Sequence, residues 1–404
     1  MAKTIQIQLT GLFLFIFCFY AAAQQPNLPV DKIAKSTEFA IPASPAFNLL
    51  NDNVPSRIQR YSTLRDFKVD WSFYSGQVSQ GISPGLALEA QPVWLLFFDQ
   101  QAATRYRQAG SFARTLSTLS FSFGTNITNE KNWLAWGVKL NLYRQYDPLK
   151  DSKFLKALEE STNSKKEVFD LKINDLEREK ILLKKTDPVY DQRYNELEDS
   201  IVQMQVAIKE VEANQSQKLA AVREDYIRKH WNSSYLDVAY GKLSTYEMLN
   251  KSFSKTIEDP VTGQDTTITF SSNSLKLSSE GWSAWVSGGV KAGKSGLVSD
   301  MVRYGVKPST ILGAKSNVLS MGLNLRYGSN RYNFFVEGFY DNARSEFKTL
   351  EGQTIEQKFY VLTLGGDWRF SKNVMLTFGI RQTKDFDNDT YLLQPLINVN
   401  CLMR

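Results

Sequence analysis

One histidine and two cysteines are all that 404 residues offer for soft-metal or redox chemistry. Cys18 lies inside an apolar run near the N-terminus, which leaves Cys401 as the only cysteine of a processed chain. That excludes an intrachain disulfide and a cysteine-based metal site. With His230 as the sole imidazole, a transition-metal centre has too few ligands, and no cofactor is expected. Long hydrophobic runs are also missing. The longest, Gly11–Tyr20, is too short for a bilayer, which needs about 20 residues as a helix. A helical membrane protein is thereby excluded. A β-barrel is not, because its apolar residues are diluted by alternation.

The same run follows Lys3 and precedes Ala21-Ala22-Ala23-Gln24. A charged start, a short apolar core and an A-x-A site read as an export signal, residues 1–23, cleaved near Ala23. The net charge is +6, but its cations are scattered. In an exported chain that favours contact with lipid headgroups or a weakly anion-favouring lumen over nucleic acid.

What is abundant is two-residue alternation, clearest between Asn317 and Gln382. Leu319, Met321, Leu323, Leu325 and Tyr327 alternate with Ser320, Gly322, Asn324 and Arg326. Tyr332, Phe334, Val336 and Tyr340 then alternate with Asn333, Glu337 and Asp341. Tyr360, Leu362, Leu364, Trp368 and Phe370 face the opposite way from Thr363, Gly365, Asp367 and Arg369. Val374, Leu376, Phe378 and Ile380 do the same against Thr377, Gly379 and Arg381. Successive strand side chains point to opposite faces, so each strand has a greasy and a wet side. Each run is about 9–11 residues, enough for a tilted strand to cross a bilayer. Mid-strand charges on the wet side, aromatics near strand ends and alternating turn lengths favour a membrane barrel over a soluble sandwich.

Taken in order, residues 24–66 lack alternation and read as a periplasmic tail or as a plug folded into the lumen. Strands are expected over Phe67–Tyr74, Gly85–Leu95, Phe112–Gly124 and Trp133–Arg144, within 67–146. Four stretches here, Ser44-Pro45-Ala46-Phe47, Ser62–Phe67, Gly85–Pro92 and Tyr143–Pro148, resemble motifs of uncharacterised exported proteins predicted to be Gram-negative outer-membrane β-barrels. The resemblance covers the N-terminal third. It implies a barrel in the outer membrane and supplies no activity.

Between 147 and 230 the period changes to about 3.5. Asp147-Pro148 and Asp187-Pro188 read as helix starts, with Asp as N-cap and Pro in the first turn. Tyr194, Leu197, Ile201, Met204, Ile208 and Val211 form a heptad seam. Two antiparallel helices of about 37 and 43 residues would make a rod of roughly 55–65 Å. Beyond it, within 231–404, Tyr235–Leu243, Thr266–Leu277 and Trp282–Val290 are strand candidates. Gly293–Lys315 reads as loop, and the alternation of Ile397, Val399, Cys401 and Met403 as a closing strand, although Arg404 is not the usual aromatic end. The sum is an all-β, antiparallel transmembrane barrel of about twelve strands with an inserted helical hairpin. With an even number, the turns at Ser329 and Ser371 and the arm face the periplasm.

Gly288-Gly289-Val290-Lys291-Ala292-Gly293-Lys294-Ser295 matches G-x-x-x-x-G-K-S. A phosphate cradle needs a buried strand before it and a helix after it, and neither is present in the pattern. No nucleotide is expected. His230 with Ser233 or Ser234 leaves an outer-membrane lipid hydrolase as a remote reading; an enzyme is not expected. The wet faces carry Arg114, Lys139, Arg326, Arg369 and Arg381 against Asp70, Glu89, Asp237, Glu337, Asp341 and Asp367. They would either set the selectivity of a small aqueous pore or knit a filled lumen. Two function classes follow. One is a small-solute channel or transport component whose arm docks an envelope protein. The other is an envelope scaffold with a filled, non-conducting barrel. Expected partners are outer-membrane lipid and another envelope protein.

Overall fold

The computed structural model describes residues 30–50, 54–62, 67–72, 85–98, 102–127, 132–162, 166–183, 189–258, 265–308, 315–346, 354–385 and 390–403. The export signal, the Asp187-Pro188 helix start and Arg404 lie outside them.

Twelve antiparallel strands close into one barrel, each paired with its sequence neighbours and β1 with β12. They are β1 (Phe67–Ser72), β2 (Gly85–Ala90), β3 (Ser120–Ile127), β4 (Asn132–Arg144), β5 (Tyr235–Glu258), β6 (Asp265–Ala292), β7 (Gly296–Pro308), β8 (Lys315–Gly328), β9 (Tyr332–Glu346), β10 (Thr354–Arg369), β11 (Val374–Asp385) and β12 (Thr390–Met403). Closure leaves no unpaired edge in the barrel wall, the condition for strands in lipid; beyond the wall, residues 247–258 of β5 and 265–276 of β6 pair only with each other. Leu323, Leu325, Phe334, Val336, Leu362, Leu364, Ile380 and Ile397 are exposed on the outside, forming an apolar belt. Tyr327, Tyr332, Trp368 and Phe370 mark one rim of the belt, and Tyr360 and Tyr391 the other. Such aromatic girdles sit at bilayer surfaces.

Several strand assignments differ from the sequence reading, each for a local reason. β2 stops at Ala90 because Pro92 has no N–H for the ladder; it opens helix α3 (Pro92–Phe97) instead. Ser111–Leu116 is helical, α5, so β3 begins only at Ser120. Thr266–Leu277 and Trp282–Val290 are one strand, β6. The break between them is a bulge, where Gly281 pairs with Leu243 and Ser279 with Ser244, leaving Glu280 as the extra residue. Gly293–Lys315 contains β7, which the alternation did not reveal. There Leu297 and Met301 are buried inside while Asp300 is exposed outside. The merged pair and the missed strand offset each other, so the total of twelve stands.

Among the described residues the insertion between β4 and β5 holds three helices where two were expected: α6 (Ser152–Thr162), α7 (Lys166–Leu182) and α8 (Tyr190–His230). Asp151, not Asp147, caps α6, its Oδ1 accepting the N–H of Phe154 at 3.2 Å. Asp147 instead closes the preceding turn, accepting from Leu149 N at 3.1 Å. α8 has 41 residues, hence a length of about 60 Å. Leu197 and Ile201 are buried along its seam and Tyr194, Met204, Ile208 and Val211 are half-buried. The buried line continues through Gln215, Leu219 and Tyr226, beyond the heptads read from sequence.

The arm's base, both described ends of the barrel sheet and the short turns at 293–295, 329–331 and 370–373 all lie at one end of the barrel, here called the arm end. Asn232 Nδ2 donates to Gly296 O at 2.7 Å, and Arg331 Nε meets Glu224 Oε1 at 2.8 Å, tying α8 to two of those turns. The remaining described helices are α1 (Val30–Lys35), α2 (Pro45–Leu50) and α4 (Ala102–Gln108).

Candidate functional site: the plug seat in the lumen

Residues 37–50 and 54–61 run inside the barrel. The chain leaves α1 at the arm end, where Ile33 and Ala34 join a core with Phe154, Leu158, Leu219 and Tyr226 of the arm. It enters the lumen at Phe39, turns through α2 and returns to the arm end at Tyr61, whose hydroxyl accepts from Arg144 Nη1 at 3.2 Å. Ser44 caps α2, its Oγ accepting the Phe47 N–H at 3.4 Å, with Pro45 in the first turn.

α2 lies against the β2–β5 side, where it meets alanine and glycine of the wall. Ala87, Ala135 and Ala239 pack against Ala46, Phe47 and Leu49. A Cβ on Gly137 would stand 2.6 Å from Pro45 Cβ and 3.2 Å from Ala46 N, and one on Gly241 would strike Leu49. Glycine is what lets the plug backbone come this close. From the opposite wall Trp285, Met301, Phe339 and Val361 fill the remaining space against Val54 and Ile58.

Charge fixes the plug at two places. On β8–β11, Glu337 accepts from Ser56 Oγ at 2.7 Å, Arg57 N at 2.8 Å and Asn324 Nδ2 at 2.7 Å. Arg57 meets Asp341 at 2.7 Å, and Arg60 meets Asp367 at 3.2 Å. Asp367 also pairs with Arg326, which donates to Ser56 Oγ at 2.8 Å. Arg369 donates to Glu38 O at 2.9 Å and Arg381 to Val54 O. On β1–β5, Asp70 accepts the Ser44 N–H at 2.7 Å and Lys68 donates to Pro42 O. Glu89 holds Lys68, meets Lys139 at 3.3 Å and accepts from Ser120 Oγ at 2.6 Å. Asp237 accepts from Asn141 Nδ2 at 2.6 Å.

Arg114 is a correction. It lies on α5, not on a strand, and donates to Ala109 O at 2.7 Å, capping α4 outside the lumen. The plug residues Ser56, Arg57 and Arg60 were not singled out from the sequence, because no periodicity marks them. Lys68 falls within the expected strand Phe67–Tyr74 and is buried on β1.

Two other motifs resolve geometrically. Gly288–Ser295 is the end of β6 and a hairpin turn, with Gly293 at φ 66° and β7 starting at Gly296. No helix follows, so the backbone N–H groups do not converge on one point. His230 ends α8 with its ring 3.8 Å from that of Tyr146 and 4.6 Å from that of Tyr226. Ser233 Oγ donates to the His230 carbonyl, not to its ring.

What the seat does chemically is hold a backbone. Wall side chains accept plug N–H groups and donate to plug carbonyls, so a segment with little secondary structure is buried with those groups satisfied. The cavity left beside Arg60, Arg326 and Asp367 is about 30 Å³.

No family model matches this sequence, and no curated protein matches it. Solved structures with some likeness to it include three outer-membrane barrels. The translocator domain of the autotransporter NalP from Neisseria meningitidis has 11% identity and a TM-score of 0.31, covering 84% of this chain and 89% of its own. The NanC porin has 9% identity and a TM-score of 0.30, covering 84% and 99%. Omp33 of Acinetobacter baumannii has 7% identity and a TM-score of 0.28, covering 84% and 98%.

Proposed function

We propose that this chain is an outer-membrane scaffold: a filled, non-conducting barrel that anchors a helical arm for docking another envelope protein. The observation that carries this reading is the occupied lumen. Residues 37–50 and 54–61 are held from opposite walls, and about 30 Å³ remains beside their charged seat, room for roughly one water. The other expectation, a small-solute channel, needs the plug to leave. The charges lining the wall would suit a pore only then.

The arm end is the periplasmic side in this reading, since short turns face the periplasm in such barrels. The arm's far end carries exposed Ile181, Leu182 and Val189, a face for a protein partner. The decisive experiment is planar-bilayer recording of the purified chain. Silence is expected, with conductance steps only after residues 30–62 are deleted. Discrete steps from the intact chain would overturn the scaffold reading. Trypsin added to intact cells should leave the exposed Lys172 uncut; cleavage there would reverse the orientation.

A further inference from the structure

Between β2 and β3 the chain does not turn directly but builds α3, α4 and α5 at the arm end. These helices are two-sided. Trp94 and Tyr106 are buried in the core at the arm's base. On the other side Leu96, Phe97 and Phe112 are 78%, 65% and 80% exposed. Large apolar side chains this open are costly in water, at about 25 cal/mol per Å².

Their position says what covers them. α5 packs against β4. It borders a cleft of about 540 Å³ with Leu142 and Tyr143 on its opposite side. Leu142 and Tyr143 are consecutive yet both exposed, because the β4–β5 ladder shifts register between Asn141 and Tyr143. Leu88 on β2 and Phe121 on β3 carry the same exposed face up to the helices. The apolar surface of α3–α5 is therefore continuous with the belt of the barrel.

The polar lining fits a lipid surface as well. Arg114 and Lys150 line the cleft, and Arg105 is exposed on α4. The nearby acids are already engaged. Asp147 is held by Arg144 at 2.6 Å and Tyr106 at 2.5 Å, and Asp151 caps α6. What remains is cationic, above an apolar face, which is the profile of an interfacial element in anionic headgroups.

We propose that α3–α5 form a cuff lying in the lipid leaflet on the arm side. Leu96, Phe97, Phe112 and Leu116 enter its acyl region, and the cleft takes a phospholipid phosphate beside Arg114 and Lys150. This rests on the membrane reading above and adds a lipid site to it.

Spin labels at Leu96→Cys and Phe112→Cys test it, with native cysteines replaced by serine and the full chain in nanodiscs of phosphatidylethanolamine and phosphatidylglycerol. Leu364→Cys reports the belt and Lys172→Cys the aqueous arm. The cuff positions should match Leu364, accessible to oxygen and shielded from a water-soluble nickel reagent. If they match Lys172 while Leu364 reads as lipid, the cuff is overturned and the barrel reading survives. If Leu364 also reads as aqueous, the membrane reading fails and the cuff with it. For the headgroup cleft, Lys150→Gln should lower the retained phosphatidylglycerol, relative to phosphatidylethanolamine, by roughly fivefold. An unchanged ratio overturns the cleft.

Discussion

Asp367, like Glu89, is a lumen carboxylate that holds two cations. Arg326 and Arg60 both point at it, and Thr377 Oγ1 donates to it at 2.8 Å. All three charged side chains are buried. Asp367→Asn keeps the shape but leaves two guanidinium groups without an anion. Removing one partner of a buried pair costs roughly 3–5 kcal/mol. The expected outcome is a clearly lower temperature for loss of the compact form on an unboiled SDS gel, together with intermittent conductance in bilayers. An unchanged melting temperature would mean that the plug is not held there. Gly137 tests the opposite wall by size rather than charge. Gly137→Val should destabilise by about 1–3 kcal/mol, the usual cost of overpacking, because a Cβ alone already lies 2.6 Å from Pro45. Gly338→Ala is the control, since a Cβ there has nothing within 4 Å. Equal effects of the two would rule out steric seating of the plug.

Elements differ in how plainly the sequence announces them. β8 to β11 are legible because Leu323, Leu325, Val336, Leu362, Leu364 and Ile380 are exposed outside while Arg326, Glu337, Asp367 and Arg381 are buried inside. β7 is not, because Asp300 occupies an outward position and Leu297 and Met301 inward ones. α3 and α5 were hidden by short apolar runs that suit either period, with Pro92 as the one available signal. For the site, alternation put Lys139, Arg326, Glu337, Asp367, Arg369 and Arg381 on wet faces, and the structure has these side chains inside. Their partners were not legible. Four of them, Arg57 N, Ile58 N, Glu38 O and Val54 O, are plug backbone groups, which every residue possesses, so no composition or spacing marks them.

At the arm's base the element-level prediction concerns pH. Burial, with Lys291 adding to it and Asp151 opposing, holds the His230 imidazole below its usual 6.5. The folded arm therefore favours the neutral ring, and the unfolded chain binds the extra proton. That stability is fully present above pH 6.5 and is lost as pH falls through the lowered folded value. Melting of the helical signal should shift down between about pH 7.5 and about pH 5 in the wild type by more than in His230→Phe. Equal shifts in both would remove His230 as the source.

For the whole molecule, the question is how far the arm and the barrel depend on each other. The core joining them uses Phe154, Leu155 and Leu158 of α6 and Leu219, Tyr226 and Ile227 of α8, together with Phe39 and Tyr61 of the plug and Trp94 and Tyr106 of the cuff. Every one of these lies outside residues 164–213. Within that stretch the described interactions run between α7 and α8 themselves, such as Arg193 with Glu179 at 2.7 Å, an exposed pair. Exposed pairs of this kind contribute about 0–1 kcal/mol, so the rod is held by its seam and not by the barrel. Replacing 164–213 with a short Gly-Ser linker should then leave the barrel's melting temperature, its SDS-gel compactness and its silence in bilayers unchanged. A photo-crosslinking residue at Ile181, which is 82% exposed, should meanwhile give a discrete adduct in whole cells with the full-length chain. If the shortened protein instead loses its barrel, the rod is part of the fold and cannot be a separable docking arm. If the barrel survives and Ile181 yields no adduct, the scaffold reading loses its partner.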